Sequence, residues 1–149
     1  MTPSAVVLTI DSRLENLAFV GVAARAIAAA AGLPPEACGE VELCVVEAVT
    51  NSIRHAYEGR PGHEVRIRIG ADAGRLEIEV RDRGRALPVE RLARAPELPE
   101  PSREDVASLA ESGRGHFLMA RLMDELQFAH VDGENVVRMT RLTGAPGRA

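Results

Sequence analysis

The stretch EVRIRIGADAGRLEIEV, residues 64–80, decides the fold. Val65, Ile67 and Ile69 fall on one face of an extended chain, with Arg66 and Arg68 on the other. After Asp72-Ala73-Gly74 the alternation resumes with Leu76, Ile78 and Val80. A period of two on both sides of a turn predicts a hairpin in a sheet that buries one face. Something must cover that face, and the chain upstream offers two helical segments.

Val6 to Ile10 reads as a strand. Ser12 and Glu15 have capping-box spacing, and Leu14, Leu17, Ala18, Val20, Ala24, Ile27, Ala28 and Ala31 recur at helical intervals up to the stop at Gly32. Pro34 and Pro35 restart the chain into a second helix, Glu36 to Tyr57, broken by residues 58–62. Downstream, Ala86 to Gly113 loses all periodicity and carries Pro88, Pro96, Pro99 and Pro101. A loop of that length in a compact domain is usually functional, and Pro88 to Ser112 is expected to be a mobile lid. A short amphipathic helix, His116 to Leu126, follows. A second hairpin pairs Leu126–His130 with Asn135–Leu142 around Asp132-Gly133, and residues 143–149 form a flexible tail. The order β-α-α-β-β-loop-α-β-β predicts an α+β two-layer sandwich in one domain, residues 1–149. Its mixed, mostly antiparallel sheet is covered on one face by helices.

Composition narrows the chemistry. All 18 basic residues are arginine, so a Walker-A phosphate loop and lysine Schiff-base chemistry are both excluded. Phosphate here must be held by arginine, backbone N–H groups or a metal. A net charge of −4 argues against a main role on nucleic acid or anionic membrane. Cys38 and Cys44 share one helical segment and read as small buried apolar residues. The N-terminal MTPSAVVLTI has no charged region ahead of an apolar core, and no apolar run reaches the length of a membrane span, so a cytoplasmic location is expected.

Three motifs carry chemistry. Glu47, Asn51 and His55 stand at i, i+4 and i+8 on one helical stripe. A carboxylate, an amide and an imidazole in a row suit a metal–phosphate site, although spacing of this kind alone more often marks a solvated helix face. Asp82-Arg83-Gly84 follows the strand Leu76–Val80; it is either a turn or a carboxylate aimed at a ligand N–H beside a glycine that permits close approach. Gly113-Arg114-Gly115 precedes the last helix, where free N–H groups and the helix dipole favour an anion.

In that order, EAVTNSIRHAY, EVRDRG and ESGRGHFLMARLMDEL resemble the N, G1 and G2 boxes of the GHKL superfamily. The resemblance is strongest to the anti-sigma-factor serine/threonine kinases of the RsbW and SpoIIAB type, and it runs from about Leu8 to Leu142. It implies a Bergerat-type ATP-binding fold. Asn51 matches the asparagine that ligates Mg²⁺ on the ATP phosphates, and Glu47 the glutamate that serves as general base. Asp82 matches the aspartate that reads the adenine amino group, and Gly84 the glycine beside the base. Gly113, Arg114 and Gly115 match the loop that closes on the phosphates, and His55 a histidine frequent in this branch.

The implied activity is phosphorylation of an anti-anti-sigma (STAS-domain) antagonist by Mg-ATP, with sequestration of a sigma factor or other client. The resemblance also implies a homodimer. In one departure the G1 box ends on Ala86 where the family often has glycine. That position bears on an alternative in which the protein binds ATP and acts by sequestration alone.

Overall fold

The computed structural model describes residues 4–88 and 111–144, in the second stretch with side chains from Gly115 onward. Of the expected lid, Pro88 to Ser112, residues 89–110 lie outside these residues, as does most of the expected flexible tail; Glu111 and Ser112 belong to a helix. The elements are β1 (Ser4–Asp11), α1 (Leu17–Ala30) after a 3-10 turn at Leu14–Asn16, α2 (Pro35–Asn51), a π turn (Ser52–Ala56), β2 (Glu64–Asp72), β3 (Arg75–Asp82), α3 (Glu111–Leu122), β4 (Glu125–Val131) and β5 (Glu134–Leu142).

The described strands form one sheet in the order β1-β2-β3-β5-β4. Every pairing is antiparallel, where the order of elements left room for a mixed sheet. The β2–β3 and β4–β5 hairpins turn on Ala73-Gly74 and Asp132-Gly133. All four residues have positive φ (42°, 80°, 53° and 78°), the requirement of a two-residue turn that matches strand twist.

Register puts Val65, Ile67 and Ile69 opposite Asp82, Val80 and Ile78, and those opposite Asn135, Val137 and Met139. All nine are buried. The other sheet face carries a lattice of arginine and glutamate. Arg66 pairs with Glu134 at 3.1 Å, and Glu79 accepts from Arg81 and Arg138 at 3.1 and 3.0 Å. Burial pushes the Glu79 carboxyl up, but the hydrogen bonds from Arg138 and Arg81 outweigh it and hold the group below its usual range.

α2 is the central helix. Val41, Cys44, Val45, Ala48 and Val49 are all at most 1% exposed, so the helix is packed along most of its length. Pro35 occupies its first turn, where a missing N–H costs nothing. α1 ends in a Schellman motif, with Gly32 at φ 96° and bonds from Gly32 N to Ala29 O and Leu33 N to Ala28 O.

Two local expectations are corrected. Ser12 does not cap α1. Its hydroxyl donates to Arg60 O at 2.6 Å and accepts from His63 N at 3.1 Å, fastening the turn before β2 instead. α3 spans Glu111–Leu122 rather than His116–Leu126: Met119 is on its buried side, Met123 is buried just past its end, and Leu126 belongs to β4 opposite Met139. Asp124 marks the switch, its N–H bonding Thr140 O and its carboxylate accepting from Leu142 N, both at 2.8 Å.

Cys44 is fully buried and Cys38 is 2% exposed. Burial pushes the Cys44 thiol up to about 12, with Glu40 adding to the rise and Arg141 opposing it. Its contribution to stability is intact below the ordinary thiol range and is lost as pH rises toward that value, because only the unfolded chain can ionise there. Both thiols should therefore resist a thiolate-specific disulfide reagent at pH 8 in the native protein and react at once in denaturant. Rapid native labelling of either would contradict the packing of α2.

Candidate functional site

An open cleft lies between the end of α2, the end of β3 and the starts of β5 and α3. Asn51, His55, Asp82, Ala86, His116 and Asn135 are among the residues along its wall. Its geometry begins with the end of α2. After Asn51 the helix widens into a π turn, Ser52–Ala56, with Tyr57 N bonded to Ser52 O at 3.0 Å. Such turns recur at functional sites because they re-aim side chains without ending the helix. Ser52 becomes buried and faces β3, whereas His55 is exposed on the cleft wall.

Asp82, at the last position of β3, is 6% exposed. Burying a carboxylate requires donors, and three are present. Ser52 Oγ donates to Oδ2 at 2.7 Å, Asn135 Nδ2 to Oδ1 at 2.8 Å, and Gly84 N to Oδ1 at 3.0 Å. The last bond closes an Asx turn, so part of the turn reading of Asp82-Arg83-Gly84 is realised together with burial.

Tyr57 secures the same corner from below. Its hydroxyl donates to Glu64 O at 2.6 Å and accepts from Arg83 N at 2.8 Å, while its ring stacks on His63 at 4.7 Å. Burial pushes the Tyr57 phenol up, partly offset by the bond from Arg83.

Gly84 is required by contact rather than by φ. A Cβ there would overlap the backbone carbonyl and Cβ of Ala56, where Arg85 N bonds Ala56 O at 2.8 Å. Close approach is its role, as the sequence suggests, with the π turn as the neighbour. Ala86 is exposed and is not among the residues with positive φ, so the departure in the G1 box introduces no backbone strain.

On α2, Glu47 and Asn51 are half-buried one turn apart. Both meet Gly115 of α3: a Cβ on that glycine would stand 2.7 Å from Glu47 Oε2 and 3.6 Å from Asn51 Nδ2. Gly113, Arg114 and Gly115 lie inside the first turns of α3 rather than before it, because the helix starts at Glu111. The side chain of Arg114 is outside the described part of the structure. Glu47 does not line the open cleft; it sits against Gly115.

Three contributors went unread in the sequence. Ser52 and Tyr57 lie inside the quoted N-box stretch and look like ordinary helix residues. Asn135 had a visible signal, since it places an amide on the apolar face of β5 in series with Val137 and Met139. Among the described residues no group of three His, Cys, Asp or Glu side chains could hold a metal, and no helix is long and apolar enough to cross a membrane.

The profile of the family described as "Histidine kinase-like ATPase domain" matches residues 10–141. The serine-protein kinase RsbW of Listeria innocua is 29% identical over 133 residues, covering 89% of this chain and 83% of that one. The serine-protein kinase RsbW of Oceanobacillus iheyensis is 33% identical over 114 residues, covering 73% and 70%. The crystal structure of the RsbU and RsbW domains of a Mycobacterium tuberculosis protein superposes with a TM-score of 0.63 at 18% identity. It covers 97% of this chain and 33% of that one, a likeness of fold. The chain belongs to the histidine kinase-like ATPase family, among the RsbW-like anti-sigma-factor serine kinases.

The contact at Gly84 gives a test of the Asp82 corner of the cleft. Gly84→Ala must push the loop off the π turn, and overpacking of this kind costs about 1–3 kcal/mol. Urea melts should show that loss together with weaker ATP binding by calorimetry. Unchanged values for both would mean that the loop does not rest on Ala56.

Proposed function

We propose that the protein binds Mg-ATP in this cleft and transfers the γ-phosphate to a serine or threonine of an anti-anti-sigma (STAS-domain) antagonist. When that antagonist is not bound, the protein sequesters a sigma factor or another client. The observation that carries the reading is the pairing of Glu47 and Asn51 against Gly115, with Asn51 sharing a cleft with the buried Asp82.

Asp82 has acceptor capacity left on Oδ2 after its three bonds, which suits an exocyclic amine. His55 and the start of α3, with Gly113, Arg114 and Gly115, border the phosphates. Asn51 presents a hard amide oxygen and is the residue that would hold Mg²⁺, which typically takes one or two protein ligands plus substrate phosphates. When bound, the metal neutralises charge on the transferring phosphoryl group.

Glu47 takes the proton of the incoming hydroxyl as that oxygen bonds to the γ-phosphorus. The bond to the bridging oxygen breaks and ADP departs with it. Gly115 leaves room beside the Glu47 carboxylate that a Cβ would take. The relatives named as serine-protein kinases support the phosphotransfer reading, and the unstrained Ala86 removes the main reason to prefer sequestration alone.

Calorimetry should find Mg-dependent ATP binding that Asn51→Ala abolishes or greatly weakens; unchanged affinity would remove the site assignment. Glu47→Gln should keep ATP affinity and antagonist binding while single-turnover phosphotransfer falls by about 10²–10⁴-fold, the usual worth of a general base. A normal rate in that variant would exclude Glu47 as the base.

The homodimer is supported by Phe19 and Val22, 74% and 68% exposed and neighbours on one face of α1. Phe19→Arg should convert a dimer into a monomer in sedimentation equilibrium; a dimer that survives it uses another face.

A further inference from the structure

We infer that Asn135 is the positioning residue that sets base selectivity and pins the Arg85–Leu87 segment over the cleft, using both ends of one buried amide. This inference rests on the reading of Asp82 as the group that contacts adenine. Asn135 opens β5 and is 2% exposed. A primary amide has two N–H donors and two acceptor lone pairs, and all four are engaged.

Nδ2 donates to Asp82 Oδ1 at 2.8 Å and to Arg85 O at 2.9 Å. Oδ1 accepts from Leu87 N at 2.9 Å and lies 3.1 Å from His130 Nδ1. The orientation is not arbitrary. Arg85 O can only accept and Leu87 N can only donate, so reversing the amide would break both loop bonds at once.

Two consequences follow. First, Oδ1 of Asp82 is saturated by Asn135 and Gly84, and Ser52 takes one position on Oδ2, so the acceptor left for a ligand is on Oδ2. Without Asn135 the carboxylate regains an open oxygen and loses its fixed rotamer, and the ability to tell an amine from a carbonyl on the base falls with it. Second, the clip holds residues 85–87 along the cleft wall, immediately before the long segment that follows Pro88. The same side chain therefore ties base recognition to the position of residues 85–87.

Asn135→Ala, Asn135→Thr and Asp82→Asn are compared with the unmodified protein, each checked for a cooperative melt. Calorimetry measures ATP and GTP affinities, and hydrogen exchange follows the Leu87 amide without nucleotide. Asn135→Ala should lose about 10-fold or more in ATP affinity, narrow the ATP-over-GTP ratio and exchange the Leu87 amide fast, since a buried partner left unpaired costs about 1–3 kcal/mol.

Asn135→Thr separates the two roles. Its single hydroxyl proton can go to Asp82, so base preference should return, while the clip to Arg85 and Leu87 stays broken and the amide stays fast. If Asn135→Ala does not fold, the threonine variant carries the test. Slow Leu87 exchange in either folded variant would overturn the clip. A full ATP preference in folded Asn135→Ala, with Asp82→Asn having lost it, would overturn the selectivity role while leaving Asp82 as the reader. Equal ATP and GTP binding by the unmodified protein would instead overturn the reading of Asp82, and the selectivity role with it.

Discussion

A carboxylate buried at the end of a central strand is the constraint on which the site depends. An unpaired carboxylate in that position is too costly to keep, so the surrounding chain must bring donors to it. Asp82 receives a hydroxyl from the π turn after α2, an amide from the start of β5 and a backbone N–H from its own turn. Those three donors come from three elements that are distant in sequence. Satisfying one side chain thereby fixes the relative positions of the helix end, the sheet end and the G1 turn.

The π turn is the local device that makes this possible. A regular α-helix continued past Asn51 would keep the 3.6-residue stripe of Glu47, Asn51 and His55 in line. The wider turn instead buries Ser52 against Asp82 and leaves His55 exposed on the cleft wall. Its backbone is then approached by the loop at Gly84, where no side chain fits, and its end is fastened by Tyr57 to both β2 and Arg83. Helix, turn and loop are thus packed as a unit before any ligand arrives.

The hairpins and the central helix were legible because their signals are local: a period of two in Val65–Val80, a proline start at Pro35, and glycines at tight turns. Asn51, Asp82 and Gly115 were singled out by motifs of short spacing, and the fold sets Asn51 beside Gly115. Long-range demands escaped. Ser12 carries a capping-box pattern, yet its hydroxyl is claimed by Arg60 and His63 about fifty residues away, which no window on the sequence reveals. The start of α3 was misplaced because two glycines so close together read as a loop, whereas packing of Met119 and of Gly115 on Glu47 sustains a helix from Glu111. Asn135 was visible as a polar residue on an apolar face, but its partners were not.

The cleft is bordered by two different kinds of contact. Around Asp82 it is cross-braced by hydrogen bonds to a buried carboxylate. Beside Glu47 the cleft is bounded by α3, which is held by Met119 in the core, by Met123 just after its end, and by Arg141, which bonds the Leu122 carbonyl while pairing with Glu40 of α2 at 2.7 Å. A cation on the last carbonyls of a helix is favoured by the helix dipole as well as by the hydrogen bond. At the other end, Gly115 meets Glu47 and Asn51 with no side chain of its own to interlock. The close approach of α3 to Glu47 therefore depends on Gly115 having no Cβ, which would crowd the carboxylate.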